Sequence, residues 1–345
     1  MEEIDFVLPW VDGEDKKWQE EKSLYKPAKD NPNGNHKARF RDFGTLKYVL
    51  RAIEQNAPWY NRIYLITQGH YPKWLNIHHP KIKLVTHKEL YFNTSHLPTF
   101  NSSSIEMNLA NLKDIKEKFI YLNDDMVILN KVSIDRFFKN NKAVDFLSHH
   151  WLPRNRIFDF LRGKNRWRKV LNNNLDFINR KFAPLKFEKK YLYNDSYSYS
   201  VKVNNFLLDK FYKRFIWLEH WHHPQAYFKN TIKEVYNEFK EEMMRVSSHK
   251  FRTNQDLNHY LYRYWHLAKE EFYPFKYDDG FVVKVEKFRN FQKDIQLLEK
   301  RDNINFVCFN DQMYNSSDEE FFKAKSLLKT FLDKRLATPA SFEKF

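Results

Sequence analysis

Apolar residues along this chain alternate between strand-like runs and helical spacing. Residues 4–9 form an apolar run that ends in WVDGED, which predicts a strand delivering Asp12 and Gly13 into a turn. A polar stretch over 15–25 predicts a short helix, and KDNPNGNHKA, which clusters Asn, Pro and Gly, predicts a loop. Leu46, Val49, Leu50 and Ile53 then share one helical face, with Asp42 as predicted N-cap and Pro58 just past the end. Residues 62–67, 82–86 and the run from Phe119 read as strands, and 103–116 as a helix. The second half is more helical: 232–246, 256–269 and 317–336, the last opening with Ser317 and Glu320 in capping-box spacing, with one late strand over 306–309. Alternating strands and helices predict an α/β fold with a mostly parallel sheet flanked by helices and buried on both faces. Ligands of such sheets bind beyond the carboxyl ends of the strands, which puts Asp12, Gly13, Thr67, Thr86, His87 and Asn123 to Asp125 on one rim. Asp5 opens its strand and reads as a structural hydrogen-bonding group.

Composition narrows the class. With 42% hydrophobic and 18% aromatic residues over 345 positions the chain can bury a sizeable core, as one enlarged domain. Only 6 glycines, and neither a GxGxxG nor a GxxxxGK[ST] pattern, leave no Gly-rich phosphate loop and argue against ATP as a donor. The single cysteine, Cys308, cannot form an intrachain disulfide and suits a reducing cytosol. The opening MEEIDFVLPW lacks the basic region of a signal peptide, and no run of 18 apolar residues occurs, so a soluble cytoplasmic protein is expected.

Charge adds a partner. The net charge is +15, and residues 151–190 hold 12 Lys or Arg against 3 Asp or Glu. There Ile157, Phe160, Leu161, Trp167, Leu171 and Leu175 recur at near-helical spacing among Arg154, Arg156, Arg162, Arg166, Arg168 and Lys169. Such a basic amphipathic face could lie on anionic lipid, grip a phosphate-rich polymer, or be a core-facing helix with a solvated basic side.

The candidate chemistry centres on FIYLNDDMVILN, where an apolar run delivers Asp124 and Asp125 side by side. Adjacent carboxylates are hard oxygen ligands suited to Mg2+ or Mn2+, and equally common in solvated turns. Arg39, Arg41 and Arg51 offer guanidinium forks for phosphate, although Arg51 could instead pair with Glu54 on its helix. HWHHP places His220, His222 and His223 in four positions, as metal ligands or a general base. Arg252 and Asp256 are spaced to share a helix face, to hold an anion or to pair with each other. This inventory suits a phosphorylated donor with no covalent nucleophile.

Four blocks in order, IDFVLPWVDGED, RFRDFGTLKYVLRAIEQNAPWYNRIYLITQGHYPKWL, VTHKELYFNTSHLPTFNSSSIE and FIYLNDDMVI, with shorter echoes at HHP, KFRTNQDL and FVCFND, strongly resemble the Stealth family. That family comprises bacterial capsular polysaccharide phosphotransferases and the catalytic part of the animal N-acetylglucosamine-1-phosphotransferase. The resemblance implies a GT-A-like (Rossmann-like) core and transfer of a hexose 1-phosphate from a UDP- or GDP-sugar to a glycan hydroxyl. Mg2+ or Mn2+ and no organic cofactor are implied. Residue by residue, it assigns Asp124 and Asp125 to the metal, Arg252 and Arg51 to phosphate, Asp5 to the site floor or sugar, and His222 to proton transfer. Trp10, Asp12, Gly13, Arg39, Asp42, His87, His96, Asn101, Ser102, Glu106, Asn123, Asp256 and Asn310 match its other motif positions as substrate-binding candidates. The expected layout is a donor-binding core over 1–150, a basic helical insertion over 151–220, the remaining catalytic core over 221–335 and a tail over 336–345. Outside the family blocks, the insertion is expected to meet a growing anionic polysaccharide, the membrane surface or the capsule-synthesis machinery. Rival readings are a metal-dependent glycosyltransferase that releases nucleoside diphosphate, and a nucleic-acid-binding protein, for which no recognition motif is visible.

Overall fold

The computed structural model describes residues 3–25, 36, 40–154, 160–161, 163 and 165–344. The strands are β1 (Ile4–Pro9), β2 (Tyr60–Thr67), β3 (Ile82–Thr86), β4 (Lys118–Tyr121), β5 (Met126–Ile128), β6 (Phe138–Lys139), β7 (Lys142–Asp145), β8 (Gln225–Phe228), β9 (Phe272–Pro274), β10 (Gly280–Val285) and β11 (Phe306–Asp311). The helices are α1 (Lys16–Leu24), α2 (Thr45–Asn56), α3 (His87–Leu90), α4 (Ser102–Glu106), α5 (Arg166–Phe182), α6 (Lys189–Leu192), α7 (Tyr199–Leu207), α8 (Lys229–Glu238), α9 (Lys240–Ser247), α10 (Tyr260–Ala268), α11 (Phe288–Glu299) and α12 (Asp318–Arg335).

The central sheet runs β3-β2-β1-β4-β8, parallel except for β8 at the edge. This is the expected α/β class. Its strands are apolar on both faces because both are covered. Ile4, Phe6, Leu8 and Ile120 point into a core shared with α2, α11 and α12, while Val7, Phe119 and Tyr121 point into a second core with α5, α8 and α10. From β1 the chain winds outward to β2 and β3, then returns to lay β4 on the other side of β1. That reversal opens a crevice between the carboxyl ends of β1 and β4, the place where such sheets bind ligands.

Two small sheets flank the crevice. In one, β11 pairs antiparallel with β5 and parallel with β10; in the other, β7 joins β6 and β9. The run from Phe119 is thus two strands around a turn, closed by the Met126 N–H donating to the Asn123 carbonyl.

Several elements differ from expectation. The helix expected over 103–116 is the single turn α4 and a 3-10 turn at Leu109–Asn111, because Asn108 and Asn111 bond backbone carbonyls of Ser104 and Leu90 through their side chains. Residues 232–246 form two helices broken at Phe239. Asp42 is not itself the cap of α2: left-handed Gly44 (φ 79°) takes that position, and Asp42 accepts its N–H. Ser317 caps α12, but Glu320 reaches the Phe288 N–H instead of closing a capping box. The last residues are packed rather than a loose tail, with Leu336, Ala340 and Phe342 buried. Among the described residues no helix is long and apolar enough to cross a membrane.

Candidate active site

Two turns face each other across the crevice. After β1, the Asp12 N–H donates to His70 Nε2 at 2.9 Å, and Trp10 stacks edge-on against the same ring. Gly13 is required here because a Cβ would lie 1.7 Å from the Phe40 carbonyl oxygen. After β4 come Asn123, Asp124 and Asp125. Asp124 keeps an opening to solvent, yet burial, then the charge of Asp125, then that of Asp42 push its carboxyl well above the usual carboxylate range. Asp42 is in turn raised by burial and, more weakly, by Asp12. The charges of Asp125 and Asp42 thus disfavour ionisation of Asp124, and that of Asp12 disfavours ionisation of Asp42. A polar cleft of about 210 Å³ lies beside them, lined by Trp10, Asp12, Asp42, Lys47 and Lys325 among others.

On the other side His222 Nε2 lies 4.0 Å from Asp125 Oδ2. The neighbouring histidines explain why only this one faces the crevice. His220 is stacked among Trp167, Trp217 and Tyr260 and hydrogen-bonded to the Tyr264 hydroxyl, and burial holds it well below the usual imidazole range. His223 is buried against Gly280, where a Cβ would sit 2.2 Å from its ring, and burial lowers it to about 3. Both are structural.

Behind β4 lies a buried polar layer. Glu106 accepts from the Tyr121 hydroxyl at 3.2 Å and from the His259 N–H at 2.7 Å, and burial raises its carboxyl to about 7. Arg252 and Arg166 act on Glu106 electrostatically. Arg252 donates to Ser102 Oγ and lies over the Phe40 ring that backs the Gly13 turn. Asp256 does not share a helix face with Arg252, because α10 begins only at Tyr260. It instead accepts from Arg166, His249, Thr253 and Asn101. Those bonds tie residues 99–106 to residues 247–256, and His96 joins them through Ser247 Oγ at 2.9 Å.

Not every candidate reaches the crevice. Asp5 sits at the amino end of β1, about 13 Å along the strand from Pro9 at 3.3 Å per residue. It accepts from the Asn61 side chain and the Lys116 N–H, so the structural reading applies and the site-floor assignment is withdrawn. Arg51 is buried against the chain end: its Nε and Nη2 engage Glu343 at 2.5 and 2.9 Å, and Nη1 donates to the Leu336 carbonyl. With these donors consumed it is not placed to bind phosphate, and its partner is Glu343 rather than Glu54. His87 is buried, with neither ring nitrogen hydrogen-bonded among the described residues, and burial lowers it to about 3. A neutral ring there cannot hold phosphate by charge. Asn310 lies on β11 on the same side as Cys308. Arg39, Arg156, Ile157 and Arg162 lie outside the described residues. Where described, the amphipathic pattern expected around them splits: Leu171 and Leu175 of α5 are buried in the core, while Phe160, Leu161 and Trp167 are exposed.

Sequence reasoning passed over Cys308 as a ligand-like group. Its Sγ, a carboxylate oxygen of Asp125 and a ring nitrogen of His222 lie within 4.8 Å of one another. Burial, then Asp125, keep the thiol protonated well above its usual range. The signal was weak, because a cysteine inside FVCF reads as core. Asp125 Oδ1 is buried without a hydrogen bond among the described residues. The orphaned Asp125 oxygen beside the raised Asp124 carboxyl fits a hard divalent cation, which would satisfy the former and lower the latter.

The chain is similar to the Stealth proteins in three stretches: conserved region 1 over residues 2–30, conserved region 2 over 39–146 and conserved region 3 over 221–268. It is 34% identical over 350 residues to the capsular polysaccharide phosphotransferase WcwK of Streptococcus pneumoniae, covering 100% of this chain and 99% of the relative. Exopolysaccharide phosphotransferase cps2G of Lactiplantibacillus plantarum is 30% identical, with 99% of this chain and 96% of that protein covered. Receptor polysaccharide phosphotransferase WefC of Streptococcus gordonii is 29% identical, with 99% of each chain covered. Among solved structures, the galactosyltransferase LgtC with donor and acceptor sugar analogs aligns over 98% of each chain at 9% identity and a TM-score of 0.39, too low to bear on chemistry.

Proposed function

The chain belongs to the Stealth family, and from that premise we propose that it is a sugar-1-phosphate transferase of capsule or exopolysaccharide synthesis. The donor is a UDP- or GDP-sugar and the acceptor a hydroxyl of a growing anionic glycan. The observation that carries this reading is the pairing, across one crevice, of the Asp124–Asp125 turn with His222, 4.0 Å from Asp125. Carboxylates for a cation and an imidazole for a proton are what phosphoryl transfer to a hydroxyl needs.

The acceptor oxygen bonds to the phosphorus that carries the sugar. The bond from this phosphorus to the bridging oxygen breaks, and the electron pair leaves with the nucleoside monophosphate. His222 takes the hydroxyl proton. Asp124 and Asp125 would hold Mg2+ or Mn2+, which when bound neutralises charge on the diphosphate. Arg252, held by Ser102 and Phe40, would supply positive charge to the donor phosphates, and Asp12 and Asp42 border the cleft that would admit the donor. Asn101 and Asp256 act as positioning residues that fix the loop carrying Arg252.

A metal-dependent glycosyltransferase would use the same parts but break the bond at the anomeric carbon. Incubation with UDP- and GDP-sugars, Mg2+ and an oligosaccharide primer separates the two by mass. A primer heavier by hexose phosphate, with nucleoside monophosphate released, supports the proposal; nucleoside diphosphate with an added hexose refutes it.

A further inference from the structure

Large exposed apolar side chains are concentrated in one segment of this surface. Of the seventeen on the described residues, nine fall between Trp151 and Phe211, the stretch that begins with the chain's charge excess. Soluble proteins expose such side chains singly, and contiguous apolar surface marks an interaction site.

Helix α7 shows the arrangement most clearly. Its inner face is Val201 and Asn205, continued by Leu208, all buried; the Asn205 amide anchors it by donating to the Leu147 and Leu192 carbonyls. The opposite face carries Tyr199, Val203 and Phe206 at i, i+4 and i+7, with 84%, 41% and 45% of their surface exposed. The π-helical turn Leu208–Tyr212 extends this face, placing Phe211, 70% exposed, against Phe206 with ring centroids 6.3 Å apart. The helix uses one face to pack into the molecule, and its second apolar stripe stays partly to largely exposed. Lys202, Lys210, Lys213 and Arg214 interleave with it; Asp209 pairs with Lys210, and Asp195 lies 4.0 Å from Lys202.

We propose that the outer face of α7 and the turn after it docks on an anionic lipid bilayer. Tyr199, Val203, Phe206 and Phe211 enter the boundary between headgroups and acyl chains, and the lysines meet lipid phosphate. Charge decides between occupants. A soluble polyanion would engage the lysines but leave the aligned apolar side chains in water. A second copy of this chain would bring two basic faces together within molecules of +15 each.

The test is flotation of the full chain with vesicles of phosphatidylcholine alone and of phosphatidylcholine mixed with phosphatidylglycerol. It needs no donor sugar, so its result stands apart from the transferase reading. We expect flotation with the mixed vesicles only, weakened about tenfold or more in the double variant Phe206→Ser/Phe211→Ser. Tyr199→Ser/Val203→Ser should behave alike and serves if the first variant fails to fold by circular dichroism. Equal binding to neutral vesicles, no binding, or binding unchanged in both variants overturns the proposal. So does polyphosphate competing for the face while the Phe variant retains full vesicle binding, or a dimer in sedimentation that the same substitutions dissolve.

Discussion

Asp124 and His222 carry the proposed chemistry from opposite walls of the crevice. Asp124→Asn keeps the shape but removes the charge that would hold a cation, so we expect turnover to fall by at least about a hundredfold with the thermal unfolding midpoint unchanged or raised. Nucleotide release followed by chromatography checks this, and full activity would remove Asp124 from the metal site. His222→Ala should lower kcat by about a hundredfold or more, as loss of a general base does, and a near-normal rate would end its proton role. At Asp5 the strand position alone indicated a structural group while the family resemblance suggested a site residue; the bonds to Asn61 and Lys116 favour the former. A motif position records that a residue matters, whereas its place along the strand says for what.

Elements here are joined by buried charge. Arg51 of α2 clamps the chain end through Glu343, which also meets Lys47 at 3.1 Å. Arg51→Ala would strand a buried carboxylate that Lys47 only partly compensates, and should cost about 3 kcal/mol of stability in urea unfolding with kcat unchanged. A lost kcat at full stability would restore Arg51 to the site. Asp145 at the end of β7 fixes α10 through Arg263 and His266. Burial alone would raise its carboxyl, but the charge of Arg263 and the bond from His266 hold it down to about 2. A carboxyl lowered in the folded state contributes stability in full above its unfolded value near 4 and loses it as pH falls through the folded value. Stability should therefore drop by on the order of 2 kcal/mol between about pH 4 and pH 2 through this group, a drop that Asp145→Asn, already destabilised, should lack in acid unfolding.

For the whole molecule, a net charge of +15 that is concentrated in residues 151–190 should draw in the anionic acceptor proposed above. Raising salt from about 0.1 to 1 M shortens the screening length from about 10 to 3 Å, so acceptor KM should rise several-fold while kcat holds. A KM indifferent to salt would show that the acceptor is held by other means. Period and turn residues were sufficient to define the α/β class, the strands β1 and β3 and the rim that carries Asp12 and Asp125, because each depends on neighbours a few positions apart. Only the folded chain decided that His222 and not His220 or His223 faces Asp125, that Cys308 adjoins them, and that Arg51 serves the chain end. It also decided that Leu171 and Leu175 of α5 pack into the core while α7 keeps an exposed apolar stripe. Those outcomes rest on contacts between residues tens to hundreds of positions apart, where competition for burial, and not local spacing, determines which side chain keeps its polar atoms in the crevice and which gives them to the core.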